Sequence, residues 1–204
     1  MRRVIAYIDG FNLYHAIDDL KKPHLKWVDL RQLSSNICGS NETLTNVYFF
    51  TALPTWKVES IVRHQEFIKA QRHAGVECVI GHFKEKKQQC RACDARWVGH
   101  EEKETDVAIA VQITADAFLD RYDRALIISA DSDLAPALRT VRQHFPLKAL
   151  NVIAPPGRLG HARALKPMLE ITPGRLAKCL MPETATEADG TVAFSRPSPY
   201  KPPA

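Results

Sequence analysis

Short apolar runs alternate with longer amphipathic stretches along most of the chain, which predicts strands alternating with helices. Residues 3–8 (RVIAYI), 46–51 (NVYFFT), 76–80, 124–129 and 147–153 read as five strands, rich in β-branched and aromatic positions. Their apolar character is nearly continuous, as a strand covered on both faces requires. Helices are predicted over residues 11–20, with Leu13 and Ile17 inward, and over 28–37. A longer one over 57–74 carries Val58, Ile61, Val62 and Ile68 inward, and another over 101–119 carries Val107, Ala110, Val111 and Thr114. The helix over 133–144 has Pro136 in its first turn, a favoured start, and short helices follow at 159–164 and 173–178. Gly10 lets the chain turn tightly after the first strand. The alternation implies right-handed crossovers and a mainly parallel five-stranded sheet with helices on both faces.

Two stretches depart from the pattern. Residues 81–103 form a basic insertion carrying Lys84, Lys86, Lys87, Arg91 and Arg96, the aromatics Phe83 and Trp97, and a CxxC pair, Cys90 and Cys93. From Pro182 onward the chain has few apolar residues and five of its 13 prolines, which predicts a disordered Pro-rich tail over 181–204 behind one domain at 1–180.

At 204 residues the chain is long enough for one well-cored domain, and 45% hydrophobic and 25% charged residues are ordinary for a globular protein. Its net charge of +5 favours a polyanionic partner. The five cysteines are an odd number in mostly apolar contexts, so they read as reduced thiols. Neither a secretory signal nor a membrane-spanning stretch is visible, and the cytoplasm is the expected compartment.

The chemistry gathers at strand ends. The first strand runs into Asp9 and the fourth into Asp131 and Asp133, and open α/β sheets place functional groups just beyond such carboxyl ends. Carboxylates held together resist ionising unless a cation or proton intervenes, so these groups, with Asp106, are read as one metal-binding acidic site. Asp106 sits at the edge of an apolar helix face, where an unpaired charge needs a partner. Asn12, three residues after Asp9, can orient a metal-bound water or a phosphate; equally, Asp9 and Asn12 can simply cap the helix. Glu101 and Glu102 read as first-turn complements to the helix dipole.

In the insertion, His82, Cys90, Cys93 and His100 supply the N and S ligands of a structural zinc site; two unligated thiols in a mobile basic loop is the plainer alternative. A redox role fits less well, because the CxxC does not open a helix after a strand. With or without metal, Lys84, Lys86, Lys87, Arg91 and Arg96 beside Trp97 suit contact with single-stranded nucleic acid.

Three motifs carry a resemblance. IDGFNLY at 8–14, KETDVAIA at 103–110 and ISADSDLAPAL at 128–138 resemble, in that order, the NYN domain, and more narrowly its LabA-like (DUF88) branch, related to PIN-domain ribonucleases. The resemblance implies a PIN-like three-layer α/β/α sandwich and an Mg²⁺- or Mn²⁺-dependent ribonuclease cutting single-stranded RNA internally. It makes Asp9, Asp106, Asp131 and Asp133 the acidic metal-site residues with Asn12 as their polar companion, and Glu104 a further candidate. The extra acidic residue that many PIN nucleases carry on a middle helix has no motif here, although Glu59 and Glu66 lie on that segment.

Physically, hydroxide attack on an anionic phosphodiester is repelled, and a carboxylate-held divalent cation screens the phosphate and lowers the pKa of a bound water. No Ser-His-Asp set or Gly-rich phosphate loop is present. A haloacid-dehalogenase-type phosphatase needs a second aspartate two residues after the first, where this chain has Phe11. The remaining alternative is an RNA-binding regulatory module on the same fold, and a homodimer is compatible with either.

Overall fold

The computed structural model describes residues 1–203. All five expected strands form: β1 (Arg2–Asp9), β2 (Glu42–Ala52), β3 (Glu77–Gln89), β5 (Arg124–Ile128) and β6 (Ala149–Ala154). Two more join the same sheet, β4 (Arg96–Lys103) and β7 (Leu169–Glu170), so it has seven strands in the order β4-β3-β2-β1-β5-β6-β7. Pairing is parallel throughout except between β3 and β4, which run antiparallel. The basic insertion is therefore an outward extension of β3 that turns and returns as β4. Its charge-rich strands lack the buried apolar run that marks the others, because a ribbon wetted on both sides needs none.

The central strands are buried on both faces, and alternate residues feed two cores. Val4, Ala6 and Ile8 of β1 pack with Leu13 and Ile17 of α1 (Gly10–Asp19), Leu30 and Leu33 of α2 (Leu30–Ser35) and Ile68 of α3 (Val58–His73). Ile5 and Tyr7 pack on the opposite face with Ile109 and Ile113 of α4 (Thr105–Phe118) and Leu138 and Val141 of α5 (Ala135–His144). A last helix, α6 (Pro173–Ala177), adds Leu176 to the first core.

Two expected helix faces are right only in part: Ile68 of α3 is buried and Ala110 of α4 packs against the second core, but their companions differ. In α3, Val58 and Val62 are 74% and 59% exposed, while Ala70 and Gln71 are buried; Gln71 donates to Val28 O and accepts from Leu30 N. In α4, Val107 and Val111 are exposed, and Thr105, Ile109, Ile113 and Asp116 face inward. Both helices carry apolar residues around most of their circumference, so spacing alone does not select the face. In addition, α4 starts at Thr105, because residues 101–103 belong to β4, and Glu104 at its N-cap sits at φ 76°.

The expected disordered tail is instead docked. An antiparallel hairpin of β8 (Thr184–Thr186) and β9 (Val192–Ser195) leads to a 3-10 turn, Ser198–Tyr200. Phe194 and Tyr200 pack beside the fully buried Trp27, at ring-centroid distances of 5.9 and 6.5 Å, and the Trp27 indole donates to Pro182 O. Average composition misses this because two large aromatics carry the docking.

Gly10 also differs from expectation, since its φ is not among the positive ones. What excludes a side chain is close approach: a Cβ there would lie 2.5 Å from Phe50 O and 2.7 Å from the Phe49 ring. That contact seats the N-terminus of α1 directly on β2.

Candidate active site

Strands β1 and β5 lie side by side in register, Ile8 opposite Ile128, so the residues after both leave the sheet at one edge. Asp9, only 4% exposed, caps α1: its Oδ1 accepts from Asn12 N at 3.0 Å and its Oδ2 from Ser129 Oγ at 2.8 Å. Asn12 Oδ1 accepts from Ala130 N at 3.1 Å, tying α1 to the β5 exit. Ser129 Oγ accepts in turn from Asp131 N at 3.0 Å, and Asp131 Oδ1 caps the following 3-10 turn by accepting from Asp133 N. The capping reading of Asp9 is thus correct, and it coexists with membership of the acidic cluster.

These residues border a cleft of about 300 Å³ lined by Asp9, Asn12, Asp106 and Asp131, together with Phe11, His15, Glu102 and Arg158. Asp106 reaches it from the first turn of α4, and Glu102 from β4. Asp133 is exposed and does not line the cleft; its charge acts on it by raising the Asp106 pKa. Glu104 is exposed as well and pairs with His82 at 3.3 Å.

Crowded carboxylates show in their proton affinity. Burial, reinforced by the charges of Asp106 and Asp131, lifts Asp9 to about 6 against the bonds from Asn12 and Ser129. Burial lifts Glu102 to about 7, with the charges of Asp9 and Asp106 adding to it. Asp106 is also raised, by burial first and then by Asp131 and Asp133.

Among the described residues no three His, Cys, Asp or Glu side chains stand close enough to cage a metal ion. The donors instead surround an open cleft, and they fit a hard divalent cation. All the acidic donors are oxygen, their mutual repulsion calls for positive charge, and among the described residues the buried Glu102 Oε1 has no hydrogen-bond partner.

Besides Phe11, three cleft residues and the serine that ties the strand ends together escaped the sequence reading. Glu102 was assigned to a helix start, and its role follows only from the β3–β4 pairing, which sets it opposite Phe83. Ser129 was visible as the end of a strand but gave no chemical signal of its own. His15, one helical turn past Phe11, and Arg158, which pairs with Asp19, arrive through long-range packing.

The four expected zinc ligands do not converge. His82 lies at the ribbon base opposite Lys103, and the strand pairing runs out to Gln89 opposite Arg96, just before Cys90. That separation is about 23 Å along the strand at the usual rise per residue. The His100 ring stacks on Trp56 with centroids 3.5 Å apart. The extended ribbon is the physical reason: pairing in register holds the histidines away from the tip.

Lys84, Lys86, Lys87, Arg91, Arg96 and Trp97 are all exposed on this ribbon. Side chains alternate between its faces, and directly opposed residues share one. Lys87 and Arg96 are therefore on the face carrying Phe83, His100 and Glu102, whereas Lys84, Lys86 and Trp97 are on the other.

A crystal structure of a protein of unknown function from Vibrio parahaemolyticus superposes with a TM-score of 0.56 at 14% identity, over 83% of this chain and 91% of that one, a likeness of fold. A curated relative from Pseudomonas putida, 6-hydroxy-3-succinoylpyridine 3-monooxygenase HspA, is 26% identical over 88% of this chain and 70% of its own length. The NYN domain model matches residues 3–164. That match spans both strand ends, the ribbon and α4, and the protein belongs to the NYN domain family, a branch of the PIN-like ribonuclease superfamily.

Proposed function

We propose that the protein is an Mg²⁺- or Mn²⁺-dependent endoribonuclease of the LabA-like branch, acting on single-stranded RNA. The observation that carries this reading is the convergence of Asp9, Glu102, Asp106 and Asp131 from separate elements on one cleft that also holds Arg158. A divalent cation bound there supplies phosphate screening and a lowered pKa for an attacking water. Asp9 and Asp131 would hold such a cation, Asp106 and Glu102 would face it across the open cleft, and Asp133 would contribute charge from outside. Asn12 and Ser129 keep the two strand ends in place. Arg158, whose Nη2 pairs with Asp19, offers a phosphate its remaining guanidinium N–H groups. Of the ribbon's basic groups, Lys87 and Arg96 share the Glu102 face and guide the strand toward the cleft, while Lys84, Lys86, Arg91 and Trp97 extend the electrostatic footprint.

The test is cleavage of a labelled single-stranded RNA with Mg²⁺, Mn²⁺ or EDTA, wild type beside Asp131→Asn. Metal-dependent cleavage that falls by roughly a hundredfold or more in the variant, the scale of several kcal/mol of transition-state stabilisation, supports the reading. Salt-sensitive RNA binding without cleavage would make the protein a regulatory RNA-binding module instead. No membrane partner is proposed, and among the described residues no helix is long and apolar enough to cross a membrane.

A second reading rests on the Pseudomonas relative, whose name describes a monooxygenase acting on a substituted pyridine. Incubation with 6-hydroxy-3-succinoylpyridine, isotopically labelled dioxygen and a two-electron reductant tests it, with mass spectrometry reporting consumption of the substrate and label in the products.

A further inference from the structure

Beside the acidic cleft lies a second hollow of about 380 Å³ between α1, β2, α3 and the ribbon base. Its walls are mainly apolar, and the rings of Phe11, Phe49, Trp56, Phe67 and Phe83 all border it. The volume falls in the range of roughly 300–1,000 Å³ typical of small-molecule sites. Phe11, His15 and Glu102 line both this cavity and the acidic cleft, so the two adjoin.

We propose that this cavity seats a planar nitrogen-heteroaromatic ring, supplied in the working enzyme by the nucleobase next to the scissile phosphate. The inference rests on the ribonuclease reading for the source of the ring, but not for the chemistry of the pocket. Aromatic walls suit a flat ring by stacking, which tolerates any base because every base has a π-face. The polar groups set into the wall suit a ring edge. Thr51 Oγ1 lies 3.0 Å from His64 Nε2, and burial holds His64 at about 4, so this pair is neutral near pH 7. A neutral donor–acceptor pair matches the amide-like and imine-like edge of a heterocycle, whereas a phosphate calls for charge. Lys57 also borders the cavity, while Arg63 pairs with Glu59 at 3.8 Å and the Lys26 ammonium is engaged by Asp18 at 2.5 Å. Tyr200 of the docked C-terminal segment also borders the cavity, so that segment helps shape it.

The test titrates the full chain with UMP, AMP, free 6-hydroxynicotinate and base-less ribose 5-phosphate by calorimetry, for wild type, Trp56→Ala and Thr51→Val. The expected result is binding of the ring-bearing probes over ribose 5-phosphate. Trp56→Ala should weaken it roughly tenfold to a hundredfold, as loss of one stacking aromatic does. Thr51→Val keeps the shape, so selective loss of heterocycle affinity there excludes a folding artefact. In parallel, an RNA with one abasic residue at the cleavage position should be cut more slowly than its parent, and Trp56→Ala should erase the difference.

Mononucleotides that bind while no RNA is cleaved would sink the ribonuclease reading and leave the pocket standing. Binding of 6-hydroxynicotinate alone, with RNA cleavage indifferent to the abasic residue, would assign the ring to a free heterocycle and overturn the nucleobase. Equal affinity for UMP and ribose 5-phosphate, unchanged in both variants, would overturn the ring site altogether.

Discussion

The Ser129 hydroxyl donates to Asp9 Oδ2 at 2.8 Å and accepts the Asp131 N–H at 3.0 Å. One small side chain thus latches the ends of two neighbouring strands and fixes the spacing of the two carboxylates that they carry. Among the described residues Asp9 has no ion-pair partner, so Ser129 and the Asn12 N–H supply its hydrogen-bond stabilisation.

Ser129→Ala removes that donor and leaves Asp9 less able to ionise. The Asp9 pKa should rise further above about 6, its present position. RNA cleavage at pH 7 should fall by roughly tenfold, the equivalent of about 1.4 kcal/mol, and recover in part as the pH is raised. A purely structural role would lower activity at every pH alike, so the pH–rate profile separates the two.

Glu102 links pH to stability. Its pKa is raised from 4.5 to about 7 on folding, so its favourable contribution is complete below about 4.5 and is lost as the pH rises through about 7. Glu102→Gln removes this penalty. In chelator, its urea midpoint relative to wild type should therefore climb between pH 4.5 and 7 and level off above. Mg²⁺ or Mn²⁺ at pH 8 should raise the wild-type midpoint more than the variant's, because the cation has more repulsion to relieve there.

Gly10→Ala sets two effects against each other. Alanine in a helix is favoured over glycine by roughly 1 kcal/mol. The new Cβ, however, would lie 2.5 Å from a backbone carbonyl oxygen, that of Phe50, which has little freedom to move. Overpacking of this kind costs about 1–3 kcal/mol and wins. Thermal unfolding should show a lowered Tm, and cleavage should drop as well, because α1 carries Asn12 and is capped by Asp9.

Phe194→Ala tests the docking of the C-terminal segment. Phe194 is 1% exposed against Trp27 and His73, and truncating a buried Phe costs about 3–5 kcal/mol. Denaturant unfolding followed by tryptophan fluorescence should show that loss, along with earlier solvent exposure of Trp27. A variant as stable as wild type would mean that the segment is independent of the domain.

By itself, the chain's sequence determined the strand–helix alternation, the five inner strands, and the placement of Asp9 and Asp131 at strand ends. Those features are local: a buried parallel strand must be apolar along its length, and a carboxylate ending it stands out. Asp106 was legible through its motif, although the helix face assigned beside it was legible only in part. Only the tertiary structure decided which of several apolar faces α3 and α4 bury, because both helices offer more than one. It also decided the register that carries Glu102 into the cleft and keeps His82 and His100 away from Cys90 and Cys93. Arg158 enters the cleft, and Phe194 and Tyr200 find Trp27, across long stretches of chain. Contacts between residues so far apart are set by the packing of whole elements, and no local pattern of hydrophobic and polar positions records them.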